Sequence, residues 1–460
     1  MTKLIFGFGA FAALAVVGLQ ACGDDAPSPP TGCVPNQPTV CDCNGKPSTG
    51  VTKCVVGDPN VYVDCDCDPS AASSSSASSG GGPNCLDGET ACGQKCVDLT
   101  VDDANCGKCG TACPKGTACK DGVCDCLMAV EAYCDGACVD IYTSAEHCGG
   151  CGHACLDGTC TGGLCPSFEL AKNQEEPYGL AVDETYVYWT TSGVTDSVFR
   201  KKLADASAPE LIANNQKRPR ELALATEANF TGIVWANNGL ADLGAAIVGA
   251  KAPAMPTTLA TSMKDGVYAM TVVGKNVYWL NRDEGELWSA DFTAPVDTTN
   301  KKLASLLGLP WDLVANAAFV YLTSYEAGEV RRIPAGGGAP KVLAKGLGNP
   351  TGIAVDSKFV YVAAENKGEI ARVAIDGSAT PTVLATGQLK PAHLAVDDKY
   401  VYWTNYGSTD TDGSVAKVPV GGGDVVVLAA AQNKPLQIVV DAKYVYWSTV
   451  GGKTITKAPK

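Results

Sequence analysis

Residues 166–460 contain a repeated motif that ends, in its clearest copies, in Tyr-Val-Tyr-Trp. Each copy has a short apolar segment, a turn, and a second apolar segment whose last position we call the Trp slot. Seven copies follow one another at intervals of 40 to 46 residues. The residues in the Trp slot are Trp189, Trp235, Trp279, Leu322, Val362, Trp403 and Trp447. Because a period of roughly 40 to 50 residues is typical of propeller blades, the sequence predicts an all-β, seven-bladed β-propeller.

The phase of the repeat predicts how the ring closes. A complete copy has four predicted strands. In one copy, for example, residues 329–333 form the third strand and residues 341–344 form the outer strand. The last copy ends at Lys460 after only three strands. Residues 168–171, Phe-Glu-Leu-Ala, match the outer-strand sequence Lys-Val-Leu-Ala of residues 341–344, and both segments have Pro and Gly at the same distances beyond them. We therefore predict that this N-terminal strand completes blade seven and covers its open edge.

Two recurring residue types in the repeat have structural interpretations. Strand alternation places the Trp-slot residue between neighbouring blades, which favours packing over a ligand cage. An Asp recurs in the turn between the first two strands, at Asp183, Asp356, Asp397 and Asp441. Asp stabilises such a bend through hydrogen bonds to its own backbone.

The Tyr-Trp-Thr sequences at residues 188–190 and 402–404 resemble the propellers of low-density-lipoprotein receptors. Those propellers have six blades, lack enzymatic activity and bind proteins. The residue after Thr, which is Asp in that family, is Thr191 or Asn405 here. The resemblance therefore implies the fold, but not the contacts that the receptor Asp makes.

The N-terminus has the pattern of a secretion signal. Lys3 precedes an apolar run over residues 4–19, which has the length of a signal-peptide core and is short for a membrane span. The run ends in Leu-Gln-Ala-Cys, with the cysteine at position 22. This ending resembles the lipobox of bacterial lipoproteins, in which the cysteine becomes the lipidated N-terminus after cleavage.

The lipobox resemblance implies a signal peptide over residues 1–21, lipidation of Cys22 and a tether over residues 22–32. The alternative is an ordinary signal peptide that is cut nearby, with Cys22 in a disulfide. The chain has 23 cysteines, so lipidation of Cys22 leaves an even number that can pair completely. We therefore expect a lipoprotein of the bacterial cell envelope, outer-membrane or surface-exposed, that a lipid anchor holds on the membrane.

The cysteines divide the region before the propeller into modules. A six-cysteine module over residues 33–67 looks like a motif of myxobacterial secreted proteins, and a Ser/Gly-rich linker follows over residues 68–84. Two eight-cysteine modules over residues 85–124 and 126–165 have internal spacings that agree within one residue. They resemble the stigma-specific cysteine-rich family and the related repeat of myxobacterial surface proteins.

The cysteines of these modules favour disulfides over metal binding. Cys-x-x-Cys steps, as at Cys106 and Cys109, also occur in zinc sites. Small modules with few large aliphatic side chains, behind a secretion signal, need covalent crosslinks to fold. We therefore expect all 22 remaining cysteines to be paired, with a connectivity that their order does not reveal. We interpret His147 and His153, beside the cysteines, as exposed polar residues.

Charge is concentrated in the cysteine-rich region. Residues 23–165 contain 19 Asp and Glu against 6 Lys, whereas residues 166–460 contain 30 acidic and 28 basic residues. This acidity argues against contact with nucleic acid or anionic lipid.

Alignment of the blades on their inner strands places one residue per blade at the mouth of the central channel. This axial ring consists of Gly179, Glu221, Ala269, Asp312, Gly352, His393 and Gln437. Glu221, Asp312 and His393 could together hold a divalent cation or carry out acid–base catalysis. The alternative is a wet, polar channel mouth. His393 is the single histidine of residues 166–460, so a His-dyad lactonase mechanism has no second member.

One further acidic segment, Asp410-Thr-Asp412-Gly413, has the composition of a calcium loop. It is too short for a full ligand set, which favours a hairpin turn.

From these features we expect a surface lipoprotein whose disulfide-rich stalk displays a propeller that serves as a binding or scaffold module. We expect no cofactor, and a partner that is an envelope or extracellular protein or glycan. The alternative is a propeller hydrolase or lyase that uses Glu221, Asp312 and His393. In either case the candidate ligand site is the axial ring, with Gln437 as its fourth polar member.

Overall fold

A computed structural model of the chain describes residues 38–43, 46–53, 83 and 85–460, except positions 205, 228–229, 240–244, 251–255, 264–266 and 306. The chain divides into two compact units, Met1–Gly81 and Gly82–Lys460. The predicted signal peptide, Cys22, the tether and most of the six-cysteine module and linker lie outside the described residues. Within the described ranges, no helix has the length and apolar character needed to cross a membrane. In the first unit, β1 (Pro38–Cys43) and β2 (Lys46–Lys53) form an antiparallel hairpin.

The two eight-cysteine modules contain short hairpins and share one disulfide pattern. The hairpins are β3 (Thr90–Cys92) with β4 (Lys95–Val97), β5 (Thr117–Lys120) with β6 (Val123–Cys126), and β7 (Glu131–Cys134) with β8 (Ala137–Asp140). In each module the first cysteine pairs with the third, the second with the fifth, the fourth with the seventh and the sixth with the eighth. The pairs are Cys85–Cys96, Cys92–Cys109, Cys106–Cys119 and Cys113–Cys124, and then Cys126–Cys138, Cys134–Cys151, Cys148–Cys160 and Cys155–Cys165. The disulfide prediction is thus confirmed for both eight-cysteine modules.

The prediction that His147 and His153 are exposed polar residues is wrong. The Nδ1 atom of the half-buried His147 accepts a hydrogen bond from the Gly152 N–H. His153 is only 1% exposed, and its ring bonds to the carbonyl oxygens of Cys148 and of Pro459, at the end of the propeller. The second eight-cysteine module packs against the propeller, and this contact buries the imidazole.

The propeller consists of seven four-stranded antiparallel sheets. In six of them the strands are hydrogen-bonded in chain order, and in the seventh the outer strand comes from the N-terminal end of the propeller. Blade one contains β10 (Pro177–Val182), β11 (Tyr186–Thr191), β12 (Ser197–Lys202) and β13 (Glu210–Ala213). Blade two contains β14 (Pro219–Glu227), β15 (Phe230–Asn237), β16 (Ala245–Ala250) and β17 (Thr257–Met263). Blade three contains β18 (Val267–Val273), β19 (Asn276–Asn281), β20 (Glu286–Asp291) and β21 (Lys301–Ala304). Blade four contains β22 (Pro310–Ala315), β23 (Phe319–Ser324), β24 (Glu329–Pro334) and β25 (Lys341–Ala344).

Blade five contains β26 (Pro350–Val355), β27 (Phe359–Ala364), β28 (Glu369–Ala374) and β29 (Thr382–Ala385). Blade six contains β30 (Pro391–Val396), β31 (Tyr400–Asn405), β32 (Gly413–Pro419) and β33 (Val426–Gln432). Blade seven contains β34 (Pro435–Val440), β35 (Tyr444–Thr449), β36 (Thr454–Pro459) and, as its outer strand, β9 (Phe168–Ala171). The predicted closure by residues 168–171 is therefore confirmed, because β9 pairs antiparallel with β36.

Each hydrophobic core of the propeller lies between two neighbouring blades. The Trp-slot tryptophans are at most 1% exposed. Tyr188 of blade one packs in one cluster with Trp235 of blade two, and Tyr446 of blade seven packs with Trp189 of blade one. The cluster of Tyr446 and Trp189 closes the ring through the same kind of apolar contact that joins the other blades. The predicted packing role of the Trp slot is therefore confirmed.

In six of the seven blades a second residue varies together with the Trp slot, whereas in blade three the buried indole N–H of Trp279 has no hydrogen-bond partner among the described residues. In four blades, the indole N–H of the tryptophan donates to a Gln that lies three residues beyond the preceding outer-strand alanine. The pairs are Trp189–Gln174, Trp235–Gln216, Trp403–Gln388 and Trp447–Gln432. Where the Trp slot is Leu322 or Val362, the corresponding residue is the buried Leu307 or Leu347. A buried indole N–H needs an acceptor, whereas an aliphatic side chain needs an apolar neighbour.

The repeated aspartates have the structural role that the sequence predicts. Asp356 accepts the N–H groups of Lys358 and Phe359, and its second carboxylate oxygen accepts the hydroxyl of Tyr361. In the segment proposed above as a hairpin turn, Asp412 likewise accepts the N–H groups of Ser408 and Thr409.

Candidate functional site

An irregularity in the inner strands creates the site. In all seven blades the pairing of the inner strand with the second strand shifts register after the first inner-strand residue. In blade four, for example, Pro310 pairs with Ser324 and the next regular pair is Leu313 with Leu322. Such a bulge re-aims side chains that regular alternation would direct elsewhere. In six blades the two residues inside the bulge are the axial-ring residue and the residue before it, whereas in blade three only Tyr268 lies inside the bulge and Ala269 pairs with Leu280.

The structure brings the four polar members of the axial ring together as two pairs. The Gln437 Nε2 donates to the Glu221 carboxylate at 2.8 Å, and the His393 Nδ1 lies 3.6 Å from the Asp312 Oδ2. Asp312 also accepts the N–H groups of Leu313 and Ile353, the second of which belongs to the next blade. Glu221 and Asp312 are thus anchored separately, and the predicted trio does not form one hydrogen-bonded cluster.

The glycines of the axial ring are required by the spacing between neighbouring inner strands. A Cβ atom on Gly179 would lie 2.1 Å from the carbonyl oxygen of Arg220, and one on Gly352 would lie 2.3 Å from that of Ala392. Both distances are far below van der Waals contact, so these two positions exclude any side chain. The polar groups of the ring therefore come from the other blades, and the channel mouth is chemically asymmetric.

A cavity of about 280 Å³ opens above the axial ring. The ring residues Glu221, Asp312 and His393 line its floor. One wall carries Tyr178, Arg220, Tyr268, Trp311 and Tyr325, whereas the opposite wall carries Thr351, Ala392, Leu436 and Tyr406. The cavity is slightly below the usual 300 to 1,000 Å³ of small-molecule sites. It has the size for one ring-sized group rather than for a large cofactor.

The first wall is a continuous ladder of aromatic rings and arginines. The Arg220 guanidinium lies 4.5 Å from the ring centroid of Tyr178 and 5.3 Å from that of Tyr268. The Arg282 guanidinium lies 4.4 Å from the centroids of both Tyr268 and Trp311. Trp311 stacks in turn on Tyr325, with centroids 4.7 Å apart. The stacks hold both guanidiniums in place without a carboxylate partner.

The charges of the ladder are uncompensated in the part of the chain that the structure describes. Arg220 and Arg282 take part in none of its ion pairs, and the Nε atom of each is buried without a hydrogen-bond partner. Arg220 does donate to the Tyr268 hydroxyl. The one carboxylate on the wall, Glu365, accepts the Tyr325 hydroxyl at 3.0 Å.

Burial at the floor of the cavity shifts the pKa values of the titratable groups there. Burial raises the pKa of Glu221 from 4.5 to about 8, and the neighbouring Asp312 charge adds to this rise. Burial also raises the pKa of Asp312 from 3.8 to about 7, although the N–H groups of Leu313 and Ile353 oppose the rise. Burial lowers the pKa of His393 from 6.5 to about 4. Near neutral pH the floor therefore holds a protonated Glu221, a half-ionised Asp312 and a neutral imidazole.

This arrangement differs from a compact metal site and from a hydrolase triad. Among the described residues, groups of three or more potential ligand atoms within 4.8 Å of one another all contain disulfide-bonded cysteines of the stalk. Of the described lining residues, Thr351 carries the only aliphatic hydroxyl, and that hydroxyl donates to the Pro391 carbonyl. The cavity offers protonatable acids and fixed cations rather than an activated nucleophile.

Sequence reasoning found the axial ring but missed the ladder. Tyr178, Arg220, Tyr268 and Trp311 each directly precede an axial-ring residue, and Arg282 and Tyr325 each directly follow a second strand. The same blade alignment, extended to these two positions, contains the signal. Regular strand alternation would direct the residue before the ring away from the channel, so only the bulge brings both residues of each pair to one cavity.

The sequence matches no protein-family model and no curated protein. Among solved structures, the chain is similar to virginiamycin B lyase from Staphylococcus aureus, with 11% identity, a TM-score of 0.54 and coverage of 64% of this chain and 98% of the lyase. It is also similar to a streptogramin B lyase, with 13% identity, a TM-score of 0.53 and coverage of 64% of this chain and 96% of that protein. At such low identity the likeness shows the propeller fold alone.

Proposed function

We propose that the chain is a binding protein of the bacterial cell envelope, whose propeller captures an envelope or extracellular glycan or protein through the axial cavity. In this proposal Cys22 carries the lipid anchor and the disulfide-rich modules form the stalk. The propeller on a disulfide-rich module supports a binding or scaffold role. The observation that carries the choice of site is the Arg220 guanidinium, which lines a cavity with a polar floor and forms no ion pair among the described residues.

Filling the cavity tests this proposal. Ala392 lies on the wall opposite the ladder, so Ala392→Trp would occupy the space without changing any charge. We expect the full mature chain to retain envelope glycans or proteins and the Ala392→Trp variant to lose them. Ala318 is exposed in the turn between β22 and β23, and Ala318→Trp serves as the matched control. Equal retention by Ala392→Trp and the unaltered chain would refute the cavity as the binding site.

The proposed anchor has its own test, because it concerns a different part of the chain. We expect the mature N-terminus to be a lipidated Cys22, as detected by mass spectrometry, and Cys22→Ser to release the protein from the membrane fraction. A mature chain that begins elsewhere would contradict the anchor and leave the cavity proposal unaffected.

The raised pKa values of Glu221 and Asp312 favour one competing function, a hydrolase or lyase with these carboxyl groups as general acids. An enzyme of this kind would convert a captured ligand and lose conversion, with capture retained, in Glu221→Gln or Asp312→Asn. A binding protein would release its ligand unchanged. Calorimetry with calcium, magnesium and zinc, repeated on His393→Ala, tests whether such a hydrolase or lyase uses a metal ion.

A further inference from the structure

We infer that the ligand of the axial cavity is an acidic saccharide, meaning a polyhydroxylated ring that carries a carboxylate. The carboxylate would bind Arg220, with Lys390 adding positive charge, and the hydroxyl groups would bind the floor. This inference rests on the proposed function, because it names the ligand class for the same cavity.

The Arg220 guanidinium indicates an anionic group on the ligand. Arg220 lines the cavity, and aromatic stacking occupies the face of its guanidinium and leaves the edge for hydrogen bonding. Among the described residues it forms no ion pair, so a ligand can supply the counter-charge. Carboxylates match the planar fork of a guanidinium and accept two of its N–H groups at once.

The charges around the cavity favour an anion over a cation. Lys390 lines the cavity on its exposed side and adds a second positive charge to that of Arg220. Glu365 is the only lining carboxylate on the described walls. Burial raises the pKa values of the floor carboxyl groups of Glu221 and Asp312, which reduces their opposing charge near neutral pH. The two lining cations therefore repel a cationic ligand and attract an anion.

The floor indicates hydroxyl groups on the same ligand. Glu221, Asp312 and His393 line the floor of the cavity. A protonated carboxyl group and a neutral imidazole each both donate and accept hydrogen bonds, as a sugar hydroxyl does. An apolar acid would leave these groups unpaired, and sites with buried polar groups reject such ligands strongly.

The wall opposite the ladder leaves room for the ring itself. Thr351, Ala392 and Leu436 are small or aliphatic, and they provide an apolar surface for the C–H face of a sugar. Tyr406, on the same wall, lies directly after β31. Its ring makes none of the aromatic or cation contacts of the described residues, in contrast to the rings of the ladder, and is free to pack on a ligand.

The test compares three probes on the full mature chain: D-glucuronate, D-glucose and acetate. Binding is followed by saturation-transfer NMR and by the fluorescence of Trp311, the one tryptophan that lines the cavity. We expect glucuronate to bind at least tenfold more tightly than glucose or acetate. Arg220→Gln should weaken glucuronate binding at least tenfold and leave the weak binding of glucose unchanged.

Two controls separate loss of the site from loss of the fold. Arg200 also stacks on a tyrosine, at 4.3 Å from the Tyr186 ring, but it is paired with Glu210, so Arg200→Gln should leave glucuronate binding unchanged. Arg220→Lys keeps the charge and loses the planar fork, and we expect intermediate affinity with an unchanged melting temperature.

The outcomes distinguish the inference from the proposed function. No binding of glucuronate, or binding that Arg220→Gln leaves unchanged, would overturn the acidic-saccharide class. If a neutral glycan or a protein then binds and Ala392→Trp abolishes that binding, the proposed cavity function stands with a different ligand. If Ala392→Trp leaves all binding intact, both the function and the inference fail.

Discussion

The substitution Glu221→Gln should stabilise the protein at alkaline pH and flatten the dependence of its stability on pH. The folded-state pKa of Glu221 is about 8, well above its ordinary 4.5. A carboxyl group with a raised folded-state pKa contributes stability in full below its unfolded pKa and loses it as the pH rises through the folded value. The stability of the unaltered protein should therefore fall between pH 4.5 and pH 8. The Gln variant has no carboxyl group to ionise at this position.

The size of the effect follows from the same two values. Each pH unit between them corresponds to about 1.4 kcal/mol, which gives an upper limit of about 5 kcal/mol. Water in the cavity screens the ionised form, and we expect about 2 to 3 kcal/mol in practice. The amide of Gln437 donates to the Glu221 carboxylate, and the side-chain carbonyl of a glutamine can accept that bond, so the substitution retains the local contact.

Urea unfolding from pH 4 to pH 9, followed by tryptophan fluorescence, measures this difference. All seven tryptophans lie at or after residue 189, so the signal reports the propeller and not the stalk. The matched control is Glu184→Gln, since Glu184 is exposed in the turn between β10 and β11. The stability gain of Glu221→Gln should grow from pH 4.5 to pH 8 and then level off. A gain that is independent of pH, or a loss at pH 9, would refute burial as the cause of the raised pKa.

Three further predictions concern the fold. A chain that starts at Pro177 lacks β9 and leaves β36 as an open edge, so it should be several kcal/mol less stable than one that starts at Pro166; equal melting temperatures would contradict the closure. Gln388→Leu removes the acceptor of the Trp403 indole N–H and should cost about 1 to 3 kcal/mol in urea unfolding. The double variant with Trp403→Leu, which imitates blade four, should cost less than the sum of both single variants, and strict additivity would argue against coupling. Thiol labelling of the denatured, unreduced protein should detect none of the 16 cysteines of residues 85–165, and stoichiometric labelling would refute the disulfides.

The repeat predicted the propeller because its information is local and periodic. The Trp slot and the outer strand recur at a fixed place in every copy, and the turn aspartates recur in four of the seven copies, so burial and turn geometry act on these copies in the same way. The axial ring followed from the same alignment, since one residue per copy must face the axis. Glu221, Asp312, His393 and Gln437 were therefore identified as neighbours from the sequence.

Tertiary structure alone decided how those neighbours combine. The pairing of Glu221 with Gln437 and of Asp312 with His393 depends on distances across the channel, which the repeat does not specify. The presence of both Arg220 and Glu221 in the lining of one cavity depends on a bulge in β14 that turns two successive residues toward it, against the alternation that a strand pattern predicts. His153 was misjudged for a related reason, because the surface that buries it belongs to the propeller and not to its own module. A periodic sequence specifies what each blade repeats, whereas contacts between unlike blades and modules depend on the residues in which the copies differ.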